Sequence, residues 1–188
     1  MRSLATLVVI CWILFWLYWI ISALGSKKGN ASNIRQFLGI RIGIIFVAAL
    51  AALSYNRLSP SFKNHFVSTN GVVLLIGFIL FLSGIAIAVW ARVHLARNWG
   101  MPMTLKEDPE LVTTGPYRYI RHPIYTGILL MALGSAIDIN VKWFVVFIVG
   151  CVYFVYSAFA EEKLMTQQFP KVYPAYKAKT KMLVPFIF

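Results

Sequence analysis

Acidic side chains are scarce: 6 Asp and Glu stand against 18 Lys and Arg in 188 residues, giving a formal charge of +12. Charged residues make up only 13% of the chain, where a soluble domain carries roughly 25%. Hydrophobic residues make up 60%, and the mean hydropathy is +0.73. A chain this small cannot hide so much apolar side chain in one core, because surface falls slowly with size. Lipid is therefore the solvent for most of it. Cysteine is nearly absent as well. The 2 present, Cys11 and Cys151, sit inside apolar runs and form no CxxC pair, which leaves a disulfide scaffold and a zinc site without support. No GxGxxG follows a strand pattern, so a doubly wound nucleotide domain is also without support. Outside the apolar segments there is no basic stripe with interleaved aromatics. The positive excess reads as cytoplasmic loops facing anionic lipid, not as nucleic-acid binding.

What the chain does have is long apolar runs. A spanning helix needs about 20 mostly apolar residues. Leu4 to Gly25 is uncharged, too long for a signal-peptide core and followed by no small-residue cleavage site, so it reads as a retained first helix. Phe37 to Tyr55 is a second candidate, with Arg41 placed to snorkel, and Gly71 to Ala91 a third. Ile124 to Ile137 and Trp143 to Ala160 follow, joined by the brief Asp138–Lys142 connection of an antiparallel hairpin. The expected fold is all-α: a polytopic integral membrane protein of about five spans. Residues 1–91 form three N-terminal helices, and 92–188 a cofactor-binding core containing the hairpin 124–160.

The charges orient these spans. Five crossings put the loop after Gly25, the loop before Pro123 and the segment after Ala160 on one side, with 13 of the 18 Lys and Arg. The positive-inside rule makes that side cytoplasmic and the N-terminus external. Five of the six acidic residues fall there too. An active site therefore belongs in the polar stretches 92–123 and 161–188.

Gly115-Pro-Tyr-Arg-Tyr-Ile-Arg-His-Pro-Ile-Tyr125 is the densest polar cluster, set directly before an apolar helix. Pro123 suits the first helical turn, which puts His122 at the N-cap. Arg121 and His122 are then donors beside a positive helix end, a setting for a carboxylate or phosphate. Arg118 and Tyr119 by themselves read as an interfacial anchor. Glu161-Glu162, expected at the cytoplasmic C-terminus of the fifth span, oppose the helix dipole and repel each other, so they require a cation. That cation is either Arg121, Arg118 or Lys163 in a structural ion pair, or a ligand's ammonium. The two clusters together describe a guest with a carboxylate, an amine and an apolar cationic part lying on tyrosine faces. S-adenosylmethionine has all of these.

Leu111 to Gly127, Glu161-Glu162-Lys-Leu, Phe169, Tyr173, Tyr176 and the closing Leu-Val-Pro-Phe resemble the isoprenylcysteine carboxyl methyltransferase family and the related membrane phospholipid methyltransferases. The resemblance runs from Asn98-Trp99 onward; the N-terminal helices match in hydrophobicity alone. It implies a cofactor pocket closed by the C-terminal segments, open to cytosol, with a lateral route for lipid. Cofactor contacts fall on Leu111, Val112, Tyr117, His122, Pro123, Ile124, Tyr125 and Glu161, with Pro109 and Glu110 in the same strip matching less well. Arg121, His122 and Glu162 are the catalytic candidates. One departure stands out: Ser157 occupies the position, four residues before Glu161, where relatives acting on prenylated cysteine tend to have an arginine.

The expected reaction is direct methyl transfer to a membrane-partitioned acceptor: an isoprenoid-linked carboxylate, a phospholipid amine, or a thiol or phenol. A carboxylate needs no base; an amine must lose a proton, with Glu162, His94 or a tyrosine to assist. Against this stand an NADPH-dependent membrane reductase with a similar pocket, and a scaffold or small transporter packed through Gly39-Ile-Arg-Ile-Gly43. The sequence implies no metal and no nucleic-acid partner, and leaves the oligomeric state open.

Overall fold

A computed structural model of the chain describes residues 2–24, 70–99, 110–139 and 142–188. Five α-helices are present among them: α1 (Arg2–Ala23), α2 (Gly71–Leu95), α3 (Pro123–Asp138), α4 (Lys142–Gln168) and α5 (Tyr173–Lys179). Short 3-10 turns lie at Ala96–Asn98 and Gly115–Arg118. The described residues form no strand; a single parallel bridge joins Ile120 to Lys181. The α-helices α1, α2 and α4 are long and apolar enough to cross a membrane, while α3, at 16 residues, is shorter. The expected span 37–55, with the Gly39–Gly43 pattern and Pro109, lies outside the described residues.

The helix ends follow from local chemistry. The Asn70 side chain accepts from the Val72 amide at 2.9 Å and caps α2. Pro123 opens α3 as expected. The helix α4 does not stop at Ala160 but runs to Gln168. Glu, Lys, Leu, Met and Gln are all good helix formers, so the helix outlasts its apolar stretch until Phe169, which precedes Pro170, disfavours helical backbone. Glu161 and Glu162 are therefore about two turns inside the helix, not at its last turn.

Helices α2 and α3 pack antiparallel through glycines. A Cβ at Gly84 would lie 2.5 Å from the Gly127 carbonyl oxygen, and one at Gly134 equally close to that of Gly77. Only bare backbone allows this approach, the way spanning helices commonly gain contact. Gly127→Val should therefore push α2 and α3 apart at a cost of about 3 kcal/mol, read as a large fall in the thermal midpoint of the detergent-solubilised protein.

One face of α1, Val8, Trp12, Phe15 and Trp19, is buried at helical spacing. The Trp12 indole donates to Ser135 Oγ at 2.9 Å, and its ring stacks on Trp143 at 5.2 Å. Arg92, buried at the end of α2, donates to Ala96 O at 2.6 Å and to Ser22 O, and lies 4.8 Å from the Trp99 ring. These contacts fix direction: Trp12 meets Phe81, and Ser22 meets Arg92, so α1 and α2 run parallel. Leu129 meets Gly150 and Tyr125 meets Phe154, so α3 and α4 run antiparallel. The C-terminal ends of α1 and α2, the start of α3 and the Glu161 level of α4 share one face.

Candidate functional site

Because proline disfavours helical backbone in the residue before it, His122 sits at the α3 N-cap with φ −124° and ψ 58°, and its side chain makes no capping bond. The ring turns toward α4 instead, with Nδ1 3.3 Å from Glu161 Oε2. It stacks on Tyr125 at 5.3 Å, and Tyr125 stacks on Phe154 at 4.5 Å. The Tyr125 hydroxyl donates to Glu161 Oε1. His122 Nε2 is buried and faces Glu162 Oε1 at 3.6 Å.

Neighbouring side chains on an α-helix diverge by about 100°, so the two glutamates serve different surroundings. Glu162 is buried and clamped: Arg121 Nε is 2.6 Å from Oε1, and Lys177 Nζ is 2.7 Å from Oε2. Arg121 also donates through Nη1 to Thr180 O. Burial pushes the Glu162 carboxyl upward, but hydrogen bonds from His122, Lys177 and Arg121 outweigh it and hold it at about 2. Burial likewise lowers the His122 imidazole, yet hydrogen bonds to Glu161 and Glu162 raise it above 6.5 overall.

The C-terminal segment closes the site. The Arg121 and His122 amides donate to Lys181 O at 2.8 Å and Met182 O at 3.1 Å, Thr126 Oγ1 donates to Leu183 O at 2.6 Å, and the Tyr176 hydroxyl donates to Tyr117 O at 2.7 Å. Burial pushes the Tyr117 hydroxyl well up and Tyr176 to about 12, so both remain protonated donors at neutral pH. Gly115 is also required here: its φ is +60°, and a Cβ would lie 2.3 Å from the His94 ring.

These elements enclose a cavity of about 390 Å³, within the range of about 300–1,000 Å³ common for small-molecule sites. Leu111, Val112, Tyr117, Arg121, His122, Ile124, Tyr125 and Glu161 all line it. Glu110 does too, held by Asn98 at 3.2 Å. Pro123 is buried behind the lining. Glu162 does not line the cavity, and neither does His94, whose Nδ1 lies 3.0 Å from Trp90 O. Ser157 is fully buried off the cavity.

Sequence reasoning missed the opposite wall, built by Trp16, Trp19, Leu95, Trp99, Tyr153 and Phe154. It draws on both sides of the expected division at residue 92. The available signal was the spacing of Trp12, Phe15 and Trp19 on one helical face, beside Trp16.

The donor set fits a zwitterionic, cationic guest. Glu110 and Glu161 are two of only 6 acidic residues in the chain, and both face this cavity. His122 lines the cavity beside Glu161 as a donor for a carboxylate, and the ring faces suit a sulfonium or a heteroaromatic base.

Residues 72–172 match the phospholipid methyltransferase family. A rice (Oryza sativa subsp. indica) protein, described as a probable protein-S-isoprenylcysteine O-methyltransferase, is 31% identical over 144 residues, covering 74% of this chain and 73% of its own. Protein-S-isoprenylcysteine O-methyltransferase A of Arabidopsis thaliana is 31% identical over 147 residues, covering 76% of this chain and 72% of its own. The B protein of the same plant is 28% identical over 132 residues, covering 68% and 64% respectively.

Proposed function

The chain belongs to the phospholipid methyltransferase family, and from that premise we propose that it is an S-adenosylmethionine-dependent methyltransferase of lipid-like acceptors at the cytoplasmic membrane face. One observation carries the proposal: His122 and Glu161, 3.3 Å apart, converge on a single ligand-sized cavity with aromatic walls.

The donor supplies an already activated methyl group on a sulfonium, so the protein's part is positioning and desolvation. Glu161, oriented by Tyr125 and His122, is the group to hold an ammonium or ribose hydroxyls. His122, which lines the same cavity, is the group to meet a carboxylate. Leu111, Val112 and Ile124 supply apolar contact. Arg121 and Glu162 are positioning residues: they neutralise each other and fix the strand-like run that carries His122. The Tyr125–Phe154 stack, buried at Tyr125 and half-buried at Phe154, keeps water from that side of the cavity.

The orientation of the helices supports the cytoplasmic assignment. The spans α1 and α2 run parallel, and the C-terminal ends of both lie at the cavity. The cavity then shares its face with the lysine-rich segments, and the positive-inside rule makes that face cytoplasmic.

The wall of Trp16, Trp19, Trp99 and Phe154, supplied largely by the spans, suits an acceptor that arrives from lipid. The names of the relatives point to an isoprenylcysteine carboxylate, but a second reading has a specific observation behind it. Ser157 leaves no arginine at the substrate position, and the one arginine or lysine lining the cavity among the described residues, Arg121, is committed to Glu162. Glu110 and the tryptophan faces favour an amine headgroup. Incubation with radiolabelled S-adenosylmethionine and a native lipid extract, followed by identification of the labelled product, tests both. A methylated amine is expected. Label on a carboxyl restores the first reading, and absence of labelled lipid defeats the function.

A further inference from the structure

A patch lies outside the cavity lining. After Glu162 the chain carries Lys163, Lys171, Lys177, Lys179 and Lys181 and no acidic residue. Lys179 and Lys181 are exposed, whereas Lys177 is held by Glu162. Beside them residues 184–188 fold into a tight turn, in which the Ile187 and Phe188 amides donate to Val184 O at 3.2 and 3.1 Å and the Leu183 amide donates to Phe188 O at 2.7 Å. The turn thrusts its apolar side chains outward: Phe186 is 89% exposed and Ile187 77%. Phe186 adopts φ +67°, a left-handed conformation that bulky residues rarely take.

The height of this turn follows from its hydrogen bonds. Lys181 O pairs with the Arg121 amide, just before α3 begins. Two residues on, Leu183 O accepts from Thr126 Oγ1, in the first turn of α3 as that helix enters the apolar layer. Leu183 therefore lies deeper along α3 than Lys181, and the turn that carries Phe186 and Ile187 follows it. An apolar tip beneath a basic rim is the pattern of an interfacial anchor for anionic lipid.

We propose that residues 179–188 are a lipid-docking surface: Phe186 and Ile187 enter the acyl boundary while Lys179 and Lys181 hold anionic phospholipid headgroups. The same segment closes the cavity through Lys181, Met182 and Leu183, so the docked lipid steadies that closure. The proposal stands whether or not the cavity binds S-adenosylmethionine.

The test uses the full chain with Cys11→Ser and Cys151→Ser and a nitroxide on Phe186→Cys, in nanodiscs of phosphatidylcholine with or without phosphatidylglycerol. Collisional relaxation by oxygen and by a water-soluble nickel chelate reports depth. The expected result is oxygen access exceeding chelate access, with a further shift toward oxygen when phosphatidylglycerol is present. Lys179→Gln with Lys181→Gln should abolish the phosphatidylglycerol-dependent shift. Ile187→Cys carries the label if Phe186→Cys does not fold. Chelate access exceeding oxygen access at both positions overturns the proposal. So does a shift unchanged by the lysine substitutions, or dipolar broadening between labels, which would put a second copy of the chain on this face.

Discussion

Glu162→Ala is expected to cost about 3–5 kcal/mol, a large share of a total stability of about 5–15 kcal/mol. Glu162 is 2% exposed and faces Arg121 at 2.6 Å, itself 8% exposed, so its removal strands a buried guanidinium with no counter-charge. Lys177, at 47% exposure, is well solvated and adds little. Thermal unfolding followed by tryptophan fluorescence in detergent measures the loss. Glu162→Gln, which keeps the shape and one acceptor, should lie between the wild type and Glu162→Ala.

The same pair sets an acid limit. With Glu162 lowered from 4.5 to about 2 in the folded chain, its contribution is complete above pH 4.5 and disappears as the pH falls from there toward 2. His122, raised above 6.5, acts in the opposite sense. Its contribution is complete below pH 6.5 and fades as the pH rises through the raised value. Unfolding midpoints across pH should therefore decline on both sides of a mildly acidic maximum, and Glu162→Gln should remove most of the acid limb.

Glu161→Gln is expected to leave the fold intact and weaken donor binding about 10- to 100-fold, the loss of one charge-assisted hydrogen bond of about 1.5–3 kcal/mol. Glu161 faces the cavity, whereas Glu162 is packed away from it. Two adjacent carboxylates should thus yield opposite phenotypes: the first loses affinity and keeps its melting temperature, the second loses stability. A pair with one shared role would not separate in this way.

Much of the site was legible because its chemistry is local. Two adjacent glutamates in a chain with few acids demand a cation, and Arg121 was among the partners that the spacing offered. Proline at position 123 fixed the start of α3 and hence the place of His122. The expectation that the pair lay at a helix end failed because hydropathy marks where lipid stops, not where hydrogen bonding stops, and residues 161–168 favour helix without being apolar. Glu162 as a proton acceptor was a reasonable nomination from charge alone. Its enclosure by Arg121 and Lys177 depends on segments far apart in the chain, which no local pattern reveals. The tryptophan wall of α1 was hidden for another reason. In a helix that is apolar all round, lipid-facing and cavity-facing positions look alike, and only packing distinguishes Trp16 from its neighbours.

What the cavity binds is measured most directly by isothermal calorimetry on the purified protein, titrated with S-adenosylmethionine and separately with NADPH. Saturable binding of one S-adenosylmethionine per chain, weakened by Glu161→Gln and by His122→Ala, with no heat from NADPH, is the predicted result. Saturable binding of NADPH alone, or S-adenosylmethionine binding indifferent to both substitutions, would contradict it.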